Sequence, residues 1–409
     1  MSTRPFLGWR VVAAAFTAQL LSNGCTFAVF GVFVVPLSQA FDVSEGRFGL
    51  GLSFTFLVMG AMGPLVGRWI DRGLARPLML AGVVATGCGM LALSRAAELW
   101  QLAFAFCGIV GVGTACFGPT PSMGLVANWF VRRRGLALGL TVAGATVATW
   151  IAPPVAAYLI DSVGWRAALA WFGAGALTIG IPVFWFCVVG RPESVGQRPD
   201  GDAPLAEAVA SPPAEEVATG SLLRDARLWL LSVGFGLVFT SPIVIVLVLV
   251  PFGEQLGFSR QNAAFFFSAM APFSLLGKVV FGALADRVPA HLGIWIVVLG
   301  SALVWGLLYA NPSYGLFLGI GALYGVAIGA AGPLQGVIIG RCFGRAAFGR
   351  VYGIGGLATV PIIAAAPAIA GVLRDATGSY NAVFLFQIVV LLLGGALLAM
   401  VRIPKHAES

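Results

Sequence analysis

Apolar residues run in long, nearly unbroken stretches from Val11 to Val401, and polar residues gather in short breaks between them. Each stretch is about as long as a bilayer crossing requires, roughly 20 residues. Lipid offers no partner to a free backbone N–H or C=O, so such stretches are read as helices. The ~10-residue alternating segments of an outer-membrane barrel are absent. The pattern predicts an all-α membrane protein with twelve transmembrane helices, at 9–37, 48–70, 77–94, 99–127, 135–160, 166–189, 227–253, 261–285, 290–309, 313–340, 349–373 and 379–401. The first run is too long for a signal peptide and no small-residue cleavage site follows it, so it is read as retained.

Composition agrees. Of 409 residues, 59% are hydrophobic and 10% charged, against about 25% charged in a soluble domain. Charge placement then suggests an orientation. With both termini in the cytoplasm, the inner segments hold 18 of the 24 basic residues and the outer segments 5, an asymmetry that fits the positive-inside rule. The net charge of +8 therefore reports topology in a cytoplasmic (inner) membrane. Basic residues dispersed over many loops exclude a nucleic-acid partner. The six cysteines lie in or at the ends of spans without a Cys-x-x-Cys pair, and read as apolar filler. His291 and His406 fall in inner segments. With no histidine in the core, no metal or cofactor is expected.

The chain is built twice. Pro36, Ser44, Gly67, Asp71, Arg72, Phe130, Asp161 and Gly164 recur as Pro251, Ser259, Gly282, Asp286, Arg287, Phe343, Asp375 and Gly378. All eight pairs sit at equivalent places relative to the spans. Six spans per half is an even number, so the halves are parallel repeats. Residues 1–189 and 227–409 are expected to form two six-helix bundles. The polar stretch 190–226 is expected to be a flexible cytoplasmic linker, rich in Pro, Ala, Glu and Asp.

At Gly67-Arg68-Trp69-Ile70-Asp71-Arg72-Gly73-Leu74-Ala75-Arg76 the chain resembles the major facilitator superfamily, whose loop between spans two and three reads Gly-x-x-x-Asp-Arg-x-Gly-Arg. Gly282, Asp286 and Arg287 are a shorter second copy. The resemblance implies a gating motif of Gly67, Asp71, Arg72, Arg76, Gly282, Asp286 and Arg287. Glycines there let helices approach closely. Each Asp, at a helix end, is placed to accept from arginines or from a neighbouring helix N-terminus. A narrower resemblance lies in Trp129-Phe130-Val131-Arg132-Arg133-Arg134-Gly135-Leu136-Ala137-Leu138-Gly139, continued by Ala143-Gly144, which is similar to the span-five signature of the monocarboxylate transporter family. Thr141 replaces an alanine of that signature. Pro153-Pro154, Gly164-Trp165-Arg166 and Gly8-Trp9-Arg10 also look like bacterial members. The family's acidic motif before span one is missing. In span eight, where the family has Asp and then Arg four residues on, this chain has Ser274 and Lys278.

All sixteen acidic residues fall in loops or at span ends, and Lys278 is the only charge deep within a span. It lies eight residues before Asp286, ~12 Å into a core of ~30 Å. A lysine there costs about 2.5–3.5 kcal/mol on insertion scales, a cost that binding a substrate carboxylate would offset. A structural bond to a backbone carbonyl is the bland alternative. Other wall candidates are Asn23, Thr26, Phe117, Tyr324, Gln335 and Tyr352, each as suited to helix–helix packing as to ligand contact.

The expected function is therefore secondary transport of a small organic monocarboxylate by alternating access, bound between the two halves and gripped by Lys278. No span holds a carboxylate to carry a proton, so exchange against another anion or uniport is the natural expectation, and proton symport would need Lys278 or the substrate itself to carry the proton. A proton-coupled multidrug exporter of the same superfamily is the alternative, and it would want that missing carboxylate. The oxalate:formate exchangers, relatives with two buried cations, differ in having a cation in span eleven. No buried base or ligand set supports an enzyme, and no long appended segment supports a receptor. The chain is expected to work as a monomer in the lipid bilayer.

Overall fold

The computed structural model describes residues 5–43, 45–201, 219–285 and 288–403. All regular structure among them is helical. Sixteen α-helices follow one another: α1 Gly8–Gly24, α2 Phe27–Phe41, α3 Glu45–Asp71, α4 Ala75–Ser94, α5 Leu99–Ala103, α6 Gly111–Phe117, α7 Pro119–Trp129, α8 Arg134–Cys187, α9 Thr219–Arg224, α10 Ala226–Gln255, α11 Arg260–Ala285, α12 Ala290–Tyr309, α13 Tyr314–Gly329, α14 Ala331–Phe343, α15 Phe348–Thr377 and α16 Asn381–Ala399. A π-helical stretch, Phe104–Val110, joins α5 to α6.

Among the described residues ten segments are long and apolar enough to cross a membrane. One of them, α8, is two spans, because Gly164 leaves helical geometry at φ 81° and ψ 160°. With the 27-residue α3, which that count omits, the spans number twelve. Gly378, the repeat mate of Gly164, also has positive φ (67°) between α15 and α16. A residue without Cβ adopts positive φ without strain, so the same residue type marks the junction between the last two spans of each repeat.

Three spans are broken within the membrane. Span one breaks at Cys25–Thr26, span four at Gly118 and span ten at Ala330. Gly118-Pro119 explains the second break, since proline cannot donate within a helix and is tolerated only in its first turn. Large side chains face outward along the helices, as with Tyr158, Trp171, Phe186, Val246 and Leu393. In water that would be a liability; in lipid it is the solvated surface.

The chain divides into two compact units. The first comprises residues 1–217 and 343–357, the second 218–342 and 358–409. Residues 343–357 join the first unit because the start of α15 packs backbone to backbone on α3. In the first unit α1 and α4 both pack on α8. Small residues set the spacing: a Cβ on Gly144 would strike the carbonyl of Phe16, and Gly87 and Gly173 face each other across α4 and α8. In the second unit α11 packs on α13 and α16 on both α10 and α12. Gly321, Gly325 and Gly329 line one face of α13, and a Cβ on any of them would meet the α11 carbonyls of Phe266, Met270 and Ser274 in turn. This small-residue ladder lets two membrane helices touch along their backbones.

Residues 190–201 correct the expectation of a linker flexible throughout 190–226. They are fixed against the first unit by side-chain hydrogen bonds, including Gln197 Oε1 accepting from Leu7 N–H at 3.0 Å. Residues 202–218 lie outside the described residues, and the end of the expected linker is helical, as α9, Thr219–Arg224.

Candidate functional site

Asp71 ends α3, and its carboxylate is directed at the first turn of α15. Oδ1 accepts from the Gly349 N–H at 2.8 Å, and Oδ2 from the Arg350 N–H at 3.1 Å and from Arg350 Nε at 2.9 Å. Both expected partners, an arginine and a helix N-terminus, are therefore present. The side chains of Asp71 and Arg350 are only 6% and 9% exposed.

Four glycines permit this contact. Gly63-x-x-x-Gly67 of α3 faces Gly349-x-x-x-Gly353 of α15, and a Cβ on any of the four would collide with the opposite backbone. The other motif residues do different work. Arg76 Nε donates to Val188 O at 2.7 Å, tying α4 to the end of α8. Arg72 is exposed. Gly282 is buried in α11, and Asp286 and Arg287 lie outside the described residues. Next to them, Arg341 Nη2 donates to Ala285 O at 2.8 Å. Arg350 was missed as a partner by sequence reasoning, which counted it only as an inner charge. The available signal was the second Gly-x-x-x-Gly around it.

Lys278 sits on α11 seven residues before its last, Ala285, or about 10 Å along the axis. At 3.6 residues per turn it lies half a turn away from the exposed stripe of Phe265, Leu276, Val280 and Leu284. It is half-buried, and Ser274, one turn earlier, is buried. Its backbone nitrogen borders Gly329 of α13.

Two wall candidates are withdrawn. Tyr324 has no exposed surface. Its hydroxyl is bonded to Ser241 Oγ at 2.8 Å, and Ser241 also accepts from Trp305 Nε1 at 2.8 Å. Thr240 next door donates to Gln387 Oε1 at 3.3 Å, so polar groups of α10, α12, α13 and α16 meet inside the second unit. Phe117 is equally sealed, with its ring 5.7 Å from that of Phe184. In both cases a large flat side chain is consumed by the bundle's own packing.

The remaining candidates are dispersed. Asn23 is half-buried, and its backbone carbonyl accepts the Thr26 N–H at 3.2 Å within the break of span one. Thr26 is buried and borders a cavity of about 550 Å³ in the first unit, together with Cys25, Phe30, Phe33, Phe106 and Cys107; among the described residues no charged side chain lines it. Tyr352 stacks on Phe348 at 5.9 Å, one turn beyond the Asp71 contact. Gln335 is half-buried on α14. Among the described residues no group of His, Cys, Asp and Glu is arranged to hold a metal.

Twelve helical spans in two halves, with a Gly-x-x-x-Asp motif docked on another span, define a polytopic membrane transporter. The chain belongs to the Major Facilitator Superfamily, whose family model matches residues 15–310 and 244–409. It is similar to monocarboxylate transporter 13 of Bos taurus, at 29% identity over 96% of this chain and 88% of that one. It is also similar to monocarboxylate transporter 12 of Rattus norvegicus, at 26% identity over 98% and 86%. Among solved structures it superposes on a double Trp mutant of XylE with a TM-score of 0.76, at 15% identity over 98% of this chain and 97% of that one. That match supports the fold alone. The protein is thus a multi-pass membrane transporter of small solutes and not an enzyme.

Proposed function

We propose that this transporter carries a small organic monocarboxylate across the cytoplasmic membrane by alternating access, with Lys278 gripping the carboxylate. The observation that carries the reading is the placement of Lys278, deep in α11 and turned away from that helix's exposed apolar stripe. An intramembrane cation is expensive and marks a substrate path by default. One cation suits one carboxylate; a second carboxylate would enter a low-dielectric site uncompensated, at several kcal/mol. The names of the relatives point to the same substrate class.

The Asp71–Arg350 contact acts as a latch on the cytoplasmic side. Opening that side requires α3 and the start of α15 to part, which strips a buried ion pair of its partner. The test of substrate assignment is thermal stabilisation of the purified protein by a panel of carboxylates. Stabilisation of the wild type by a monocarboxylate, lost in Lys278→Gln, is the expected result. A dicarboxylate preference, or equal stabilisation of both proteins, would overturn it.

A further inference from the structure

The chain does not leave the first unit when α8 ends. Val189 O accepts from Trp129 Nε1 at 2.7 Å, and Gly190 O from Asn128 Nδ2 at 3.3 Å. Gly190 passes directly over Gly73, where a Cβ would lie 2.8 Å from the carbonyl. Arg191 Nη2 then donates to the backbone oxygen of Asp71, the latch residue itself. Two residues on, Glu193 Oε1 accepts from Arg345 Nη2 at 2.8 Å, in the turn that delivers α15. Farther along, Gln197 clasps the N-terminal segment through Leu7 N–H and Pro5 O at 3.0 and 2.9 Å. Asp200, at φ 59°, closes the run by accepting from the amides of Val131 and Arg132 at 2.9 Å and Arg133 at 3.3 Å, at the start of α8.

Consecutive parts of one strand thus touch both sides of the latch. Arg191 holds the end of α3, and Glu193 holds the turn before α15. The segment is anchored on both flanks, by Trp129 and Asn128 before it and by Gln197 and Asp200 after it. Its reach is short, so both contacts exist only while α3 and the start of α15 are together. Parting them must break one.

We infer that residues 188–201 form a strap in which Glu193 is a positioning residue for the cytoplasmic latch, bonding Arg345 in the latched state only. This rests on reading the Asp71–Arg350 contact as a latch. The Glu193–Arg345 pair is solvent-exposed, at 53% and 29%. Such a pair is worth little in isolation, so its loss should shift the latched population by about two- to fivefold.

The test uses the full chain in proteoliposomes with Val351→Cys, a position 1% exposed within the latched start of α15. A membrane-permeant maleimide labels it only when the latch parts, and peptide mass spectrometry counts that peptide apart from the native cysteines. Glu193→Gln should speed labelling two- to fivefold, and Glu193→Arg further. Combining Glu193→Arg with Arg345→Glu should return the rate to within twofold of the parent, a rescue that loose structural damage would not produce. If Asp71→Asn speeds labelling but no Glu193 variant does, the strap is wrong and the latch stands. If Asp71→Asn also has no effect, the latch reading falls and the strap with it.

Discussion

The backbones of Gly63 and Gly353 touch: a Cβ on Gly63 would lie 2.6 Å from the Gly353 carbonyl oxygen, closer than real side chains come to a backbone. This contact seats α3 on α15 one turn beyond the Gly67–Gly349 pair. A larger residue at Gly63 must push the helices apart. Gly63→Val is expected to raise maleimide labelling of Val351→Cys by about tenfold, while Gly31→Val, whose Cβ would meet nothing within 4 Å, leaves it unchanged. Equal labelling in both would show that the helix contact does not govern opening.

Asp71→Asn keeps the shape of the side chain and removes its charge. Arg350 then stays buried opposite a neutral group. Removing one partner of a buried pair costs ~3–5 kcal/mol, and the retained amide acceptor reduces that. The latched population should fall about tenfold or more, read as the loss of short electron–electron spin distances between labels at Ser194 and Ala346, which leave Glu193 and Arg345 in place. Unchanged distance distributions would contradict the latch.

Lys278→Arg should bind the monocarboxylate more weakly yet transport it, because Arg preserves the charge at that depth. Lys278→Gln should show no saturable uptake in proteoliposomes while its unfolding temperature stays near that of the wild type. Uptake that survives in Lys278→Gln would remove Lys278 from the substrate site.

Tyr324→Phe distinguishes a packing residue from a wall residue. It deletes one member of the Ser241–Trp305–Tyr324 cluster, in a bundle interior without access to solvent. The expected cost is ~1–3 kcal/mol of stability for a buried hydroxyl network losing a partner. Substrate affinity should stay within about twofold of wild type in a binding titration. A tenfold loss of affinity at unchanged stability would restore Tyr324 to the site.

Sidedness is tested with single cysteines at Ser194 and Ala97, both exposed. An impermeant thiol reagent added outside intact cells should label Ala97→Cys and spare Ser194→Cys. The reverse pattern would invert the topology, and labelling of both would break the even count of spans.

The twelve spans were legible along the chain. The reason is that a membrane span is a local property: the transfer energy of about twenty neighbouring residues decides it, whatever lies elsewhere. The same locality made Asp71 recognisable, since Gly67-x-x-x-Asp71-Arg72 is contiguous and occurs twice. What tertiary structure decided is who meets whom. Arg350 lies 279 positions from Asp71, and no local pattern says that its guanidinium, rather than that of Arg72, faces the carboxylate. Tyr324 and Phe117 looked like wall residues because polar or aromatic character is visible in a sequence. The face of the helix that its neighbours cover is not. The strap shows the same limit from the other side: Pro- and Glu-rich composition reads as a tether, whereas Gln197 and Asp200 find fixed donors and acceptors that only the folded first unit supplies.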